Sequence, residues 1–295
     1  MDISLLKVYN MKKILLFALL SSFLLACEPD LEYEIRGYSQ KIIVEGSIAN
    51  NEYPKVYLSL NVPLWQKVDS TKMFEYVIRT AKVTISDGVK SEILTSKWDK
   101  KHFPPYVYKG TELKGEEGKT YYLTVEYSGY TLHSTTTIPY GTNIESFSTS
   151  EAKGFDSLRV LSMNVDIDPI KKTSFRVFTK KKIDGIYTAT PIIYNTKLTL
   201  SGLQNFIISP QPATDDPSYH ESSYFAIGDT VQIKFCAIDS VSNAFYKDLS
   251  FFSSSTGVGS NSFYTEKEPL NSNITKPGFG IWWGYSVRYY QYVIK

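Results

Sequence analysis

The sequence predicts a mainly β protein of two antiparallel β-sandwich domains, immunoglobulin- or transthyretin-like, with one helix in the second. Three observations predict it. After residue 40, short runs of alternating apolar and polar residues recur, with turn clusters roughly every eight to twelve residues. Tyrosine and phenylalanine number 23 and 16 among 295 residues, and aromatic rings favour strands and sheet faces. Within the body of the chain, helical periodicity is convincing at one stretch, Asp239 to Phe252.

The first element is not part of either sandwich. Lys12 and Lys13 precede an apolar stretch from Ile14 to Phe23, and Leu24-Leu25-Ala26-Cys27 places small Ala26 directly before a cysteine. That is a secretory signal, too short for a helix that stays in the membrane. Met11 opens a complete positive segment of its own, so Met11 rather than Met1 is the expected start. The Leu-Leu-Ala-Cys step resembles the lipobox of bacterial lipoproteins. The resemblance implies cleavage before Cys27, acylation of its thiol and amine, and durable anchoring by several acyl chains at roughly 0.8 kcal/mol per buried methylene. Glu28 to Glu34 then forms an acidic tether. Such residues after the cysteine resemble a surface-export address.

Removing Lys7, Lys12, Lys13 and Asp2 with the signal takes 32 basic and 30 acidic residues to 29 of each. A chain without net positive charge lacks a nucleic-acid footprint. Cys236 is then the sole unmodified cysteine, so the stability of this exported protein must come from its cores and not from disulfides. It alternates with Phe235 in a strand and reads as a small buried hydrophobe.

In chain order, Ile42 to Ile48 and Val56 to Leu60 read as a hairpin about Asn50-Asn51-Glu52. Val62 to Met73 is loop-like and carries Trp65. Ala81 to Ser86 alternates, turns at Asp87-Gly88, and is answered by Ser91 to Thr95. Lys97 to Pro105, with Trp98 and His102, reads as loop. Thr120 to Tyr127 and Thr131 to Ile138 form a hairpin about Ser128-Gly129. Thr142 to Phe147 reads as the crossing into the second domain. Leu158 to Asp168, Ser174 to Lys180, Ile192 to Leu200 and Asp229 to Ile238 read as strands, and Ser209 to Ser223 as a long loop. Asp239 or Ser240 can cap the helix, whose stripe Val241, Ala244, Phe245, Leu249 and Phe252 is expected to face the core. The expected division is 1–26 signal, 27–37 tether, 38–140 first sandwich and 141–295 second domain, with the helix near 239–252.

The series Val44-Glu45-Gly46-Ser47-Ile48, Ala81 to Gly88, the Tyr121 to Tyr130 hairpin, Ser134 to Pro139, and Leu270 to Val287 resembles one outer-membrane lipoprotein family. That family is known as domain of unknown function 4249, and its members occur beside TonB-dependent receptors. The resemblance spans Cys27 to Val287 and implies an accessory role, without catalysis, next to such a receptor. Trp282-Trp283 departs from it, because a Phe-Gly pair is usual there.

Catalytic motifs are scarce. His102, His133 and His220 are dispersed, and no GxSxG, HExxH, Walker or dinucleotide pattern occurs. Asp166 with Asp168, and Asp215 with Asp216, are carboxylate pairs without companion motifs, so no metal or cofactor is expected. Trp65, Trp98 and Trp282 remain as candidate ligand- or partner-contact rings. Alternation sends Trp283 to the core and Trp282 outward. A fimbrillin-like structural subunit, matured by cleavage near Arg36, is the competing reading. A hydrolase using Asp166 and Asp168 is a third.

Overall fold

The computed structural model describes residues 39–62, 72–100, 102, 104–168, 174–181, 187–195, 201–210, 224–255 and 271–295. The signal, Cys27, the tether, Trp65 and the Asp215-Asp216 pair lie outside these residues.

The first half follows its turn chemistry. β1 (Ile42–Ala49) and β2 (Lys55–Leu60) pair antiparallel, and Asn51 between them takes a left-handed φ of 61°. β3 (Lys82–Ser86) turns into β4 (Ser91–Ile93) at Asp87, whose carboxylate accepts the Val89 and Lys90 amides at 3.0 and 2.7 Å. The strand expected over Ser91 to Thr95 changes sheets midway. β4 stays with β3, whereas β5 (Thr95–Trp98) pairs with β6 (Tyr106–Lys109), so Lys97 and Trp98 belong to a strand and not a loop. β7 (Thr120–Tyr127) and β8 (Tyr130–Thr137) close about Ser128 and Gly129, both at positive φ.

The second half departs further from the sequence reading. The segment read as a crossing is β9 (Ile144–Ala152), paired to the long β10 (Phe155–Ile167). β11 (Ser174–Lys180) matches the expected strand. The Ile192 to Leu200 run falls partly in β12 (Thr188–Asn195), and its last residues lie outside the described ones. β13 (Gly202–Ile208) and β14 (Phe225–Ala226) were not anticipated. β15 (Thr230–Ile238) leads to α1 (Ser240–Ser255), and β16 (Phe279–Val293) closes the chain. Asp239 caps α1 through its carboxylate, which accepts the Ser242 amide at 2.7 Å.

These strands make one eight-stranded sheet, β12-β11-β15-β16-β1-β2-β6-β5, and two four-stranded sheets, β4-β3-β7-β8 and β13-β10-β14 with β9 on β10. The fold is thus mainly β, with sheets stacked in sandwich layers. Register places Ile42, Val44, Ile48 and Trp282 on the same face of the large sheet as Phe175, Val177, Phe235 and Ala237. The first group forms a core with Val83, Ile85, Leu123 and Leu132 of the β3–β7–β8 sheet. The second forms a core with Leu161, Met163 and Val165 of β10. The opposite face carries Cys236, Ile281, Trp283, Tyr285 and Val287, covered by Phe245 and Tyr246 of α1. Each large aliphatic side chain buried this way contributes about 1.5–3 kcal/mol.

The helix is rotated from its expected stripe. Phe245 and Tyr246 are buried, while Val241 and Leu249 are about two-fifths exposed. Tyr246 sets the angle, because its ring meets Trp283 edge-on at 5.1 Å and lies 3.7 Å from the Arg176 guanidinium carbon.

β16 crosses the division expected at residue 140. Its residues Phe279 to Tyr285 run parallel to Ile43 to Ala49 of β1, and Tyr285 to Val293 pair with β15. It is the one parallel ladder among the described strands. Described residues from Gln40 to Lys295 group as one compact unit. Two asparagines complete the hydrogen bonding of β16. Asn273 accepts from the Trp282 amide at 2.9 Å and donates to the Trp282 carbonyl at 2.7 Å. Where β1 ends, Asn50 accepts from the Val287 amide at 2.6 Å. Gly280 sits at φ 127°, and a Cβ there would enter the Val44 backbone. Ile274 is buried in the first core, and Thr275 bonds the exposed edge of β8 at His133. Residues Asn273 and Thr275 thus clasp β16 and β8 together.

Candidate functional site

The reading of Trp282 as an outward, partner-contacting ring is corrected by the structure. Trp282 is 0 % exposed and donates its indole N–H to the Tyr121 carbonyl at 3.2 Å. Alternation assumes one wet face, but β16 is covered by a sheet on one side and a helix on the other. Trp283 is buried too, stacked on Tyr285 at 4.2 Å. Trp98 is 56 % exposed, 6.3 Å from Phe74 and edge-on to Tyr106 at 5.1 Å. It sits at the β5 edge. Cys236 is fully buried, and burial pushes its thiol up to about 12. Asp166 and Asp168 are exposed. No cluster of three metal-ligating side chains occurs among the described residues.

Near Glu45, Tyr57 donates to Asp99 at 3.0 Å, and its ring stacks on His102 at 3.7 Å. The His102 Nε2 lies 3.7 Å from the Glu45 carboxylate, an ion-pair contact that raises the imidazole above its ordinary value. Two carboxylates, one phenol and one imidazole thus share one surface cluster.

Two open clefts meet at Asn51 and Tyr289, where β1 gives out and β16 continues. One, of about 670 Å³, is lined by Asn50, Gly115, Glu116, Glu117 and Arg288 among others. Its charges are paired. Glu117 accepts from Arg288 at 2.8 Å and from Ser286 at 2.5 Å. Burial raises the Glu117 carboxyl, but those two bonds outweigh it and leave the value lowered.

The other cleft, of about 530 Å³, is lined by Asn51, Glu52, Tyr53, Lys55, Lys109, Phe178, Tyr187, Lys234 and Tyr289. Three lysines and one glutamate therefore line it. Glu52 is engaged by the Tyr289 hydroxyl at 2.7 Å. Desolvation first, and then that bond, hold Tyr289 protonated well above the ordinary tyrosine range. Lys234 donates to the Tyr285 hydroxyl at 3.0 Å and lies 4.6 Å from the same ring's centroid. Tyr187 stands 6.2 Å from Tyr289, ring to ring. Such a surface offers cations and ring faces, without an activated nucleophile among its described residues.

None of Trp65, Trp98 and Trp282 is among the described lining residues of this cleft. The lysines and tyrosines that do line it were not singled out from the sequence. Their one local signal is position, since Lys55 precedes the buried Val56 and Lys234 stands between the buried Ile233 and Phe235.

No protein-family profile and no curated protein sequence matches the chain. Among solved structures, the chain is similar to a two-domain fibronectin type-III segment of chicken tenascin, at 10% identity and a TM-score of 0.21, over 67% of this chain and 90% of that one. It is also similar to the FN1–FN3 domains of chicken CNTN1, at 10% identity and a TM-score of 0.23, over 88% and 69%. At that level of similarity neither contributes to the reading of function.

Proposed function

We propose that this chain is a lipid-anchored, non-catalytic accessory or binding protein at the outer membrane, facing the cell exterior beside a TonB-dependent nutrient receptor. One observation carries the reading: the signal ends in Leu24-Leu25-Ala26-Cys27, and an acidic tether separates that cysteine from the β body. The lipid on Cys27 is the membrane attachment, and receptor partnership comes from the resemblance to the lipoprotein family. The body supplies stacked sheets and open polar clefts, features that suit binding.

The test is affinity capture of the natively expressed protein from outer membranes solubilised in mild detergent. Stoichiometric recovery of a TonB-dependent receptor is the expected result. Recovery of no receptor contradicts the partnership. Recovery of self-polymers with an N-terminus just after Arg36 favours the structural-subunit reading instead.

A further inference from the structure

We propose that the cleft between β2, β6, β15 and β16 binds an acidic saccharide, a ligand with carboxylate or sulfate groups on sugar rings, with Lys55 and Lys109 as its anion contacts. The inference stands apart from the receptor partnership, because it rests on side chains of the cleft alone.

Lys55 and Lys109 are direct cross-strand partners in the β2–β6 ladder. Like charges in that position destabilise a sheet, since their Cβ atoms lie only about 4.5–5.5 Å apart. Their other strand neighbours give no relief. Lys55 pairs across β1 with Ser47, and Lys109 pairs across β5 with Thr95. Among the described residues neither lysine makes an ion pair, although Lys82, Lys119 and Arg288 all do. Both are half-buried in the lining of one cleft. An arrangement that costs the sheet stability and concentrates positive charge at one place is suited to an anion.

The rest of the lining fits the same ligand. Lys234 is held in place by Tyr285 and adds a third cation. The one carboxylate, Glu52, is tied to the Tyr289 hydroxyl, which blunts its repulsion of an anion. The mature sequence is balanced in charge, so this excess is local and does not reflect a generally basic surface. Tyr289 is 54 % exposed and Tyr187 stands beside it, offering ring faces on which a pyranose stacks. A volume of about 530 Å³ falls within the usual range for a small-ligand site.

The experiment is calorimetric titration of the full-length protein in non-ionic detergent. The probes are a galacturonate hexamer, a heparin hexasaccharide, neutral maltohexaose and inorganic sulfate. The acidic hexasaccharides are expected to bind, to weaken as salt rises, and to exceed maltohexaose and sulfate by about tenfold or more. The galacturonate and heparin arms separate carboxylate from sulfate recognition. Lys55→Gln with Lys109→Gln is expected to lower that affinity about tenfold or more, the scale of losing charge-assisted hydrogen bonds, while melting no earlier than wild type. Lys55→Arg with Lys109→Arg is expected to retain binding. The proposal is overturned if no acidic saccharide binds, if maltohexaose or sulfate binds equally well, or if the folded double-glutamine variant binds like wild type.

Discussion

Trp282→Ala separates the packing described above from a reading of β16 by alternation. The ring is wholly enclosed in the first core. It fills the hollow left by Gly46, where an added Cβ would come within 2.7 Å of the indole Cε3. Emptying a buried Trp site costs about 3–5 kcal/mol. The indole bond to the Tyr121 carbonyl is lost as well, about 1 kcal/mol net, which places the expected loss near the top of that range. Trp282→Phe keeps most of the ring and is expected to lose about 1–2 kcal/mol. Trp283→Ala, which removes the ring between Tyr285 and Tyr246, is expected to match Trp282→Ala. Urea melts with unchanged slope measure all three. A loss below about 1 kcal/mol for Trp282→Ala, beside a full loss for Trp283→Ala, would refute two-sided burial of β16.

Three further outcomes follow from single groups. Gly280→Ala is expected to break the β1–β16 pairing, because the new Cβ meets the Val44 backbone at a positive φ. The check is hydrogen exchange at Ile43 to Ile48, which should lose protection. Glu92 is nearly buried, and although burial raises its carboxyl, bonds from the Leu113, Thr111 and Glu112 amides lower it on balance. Its folded value therefore lies below the ordinary 4.5, so its contribution is fully present above that pH and is lost as pH falls through the folded value. Glu92→Gln should flatten the acid limb of a stability–pH curve, and an unchanged limb counts against the assignment. Cys236 should resist a thiol reagent in the native protein and react fully in denaturant, since burial pushes its thiol up to about 12.

Elements specified by neighbouring residues were legible in the sequence. The β1–β2 and β7–β8 hairpins follow from their turn residues, β11 and β15 from their apolar patterns, and the start of α1 from Asp239. Elements specified by distant partners were not. β9 is mostly polar along its length, with only Ile144 and Ala152 buried, so it reads as linker until β10 lies beside it. The parallel pairing of β16 with β1 joins residues more than 230 positions apart, and no local pattern announces it. Burial on both faces hid the role of Trp282 for the same reason. The candidate site shares this property. The opposition of Lys55 and Lys109 exists only once β2 and β6 are in register. Trp98, by contrast, could be noticed from its residue type alone, yet it stands at a sheet edge outside the cleft.

Metabolic labelling with a fatty-acid probe, followed by membrane fractionation, tests the lipid anchor most directly. Wild-type protein is expected to carry label and sediment with outer membranes, with its N-terminus at Cys27. Cys27→Ala is expected to carry none and to appear in soluble fractions. A Cys27→Ala protein that still carries label and still partitions with membranes would contradict the anchor and the function built on it.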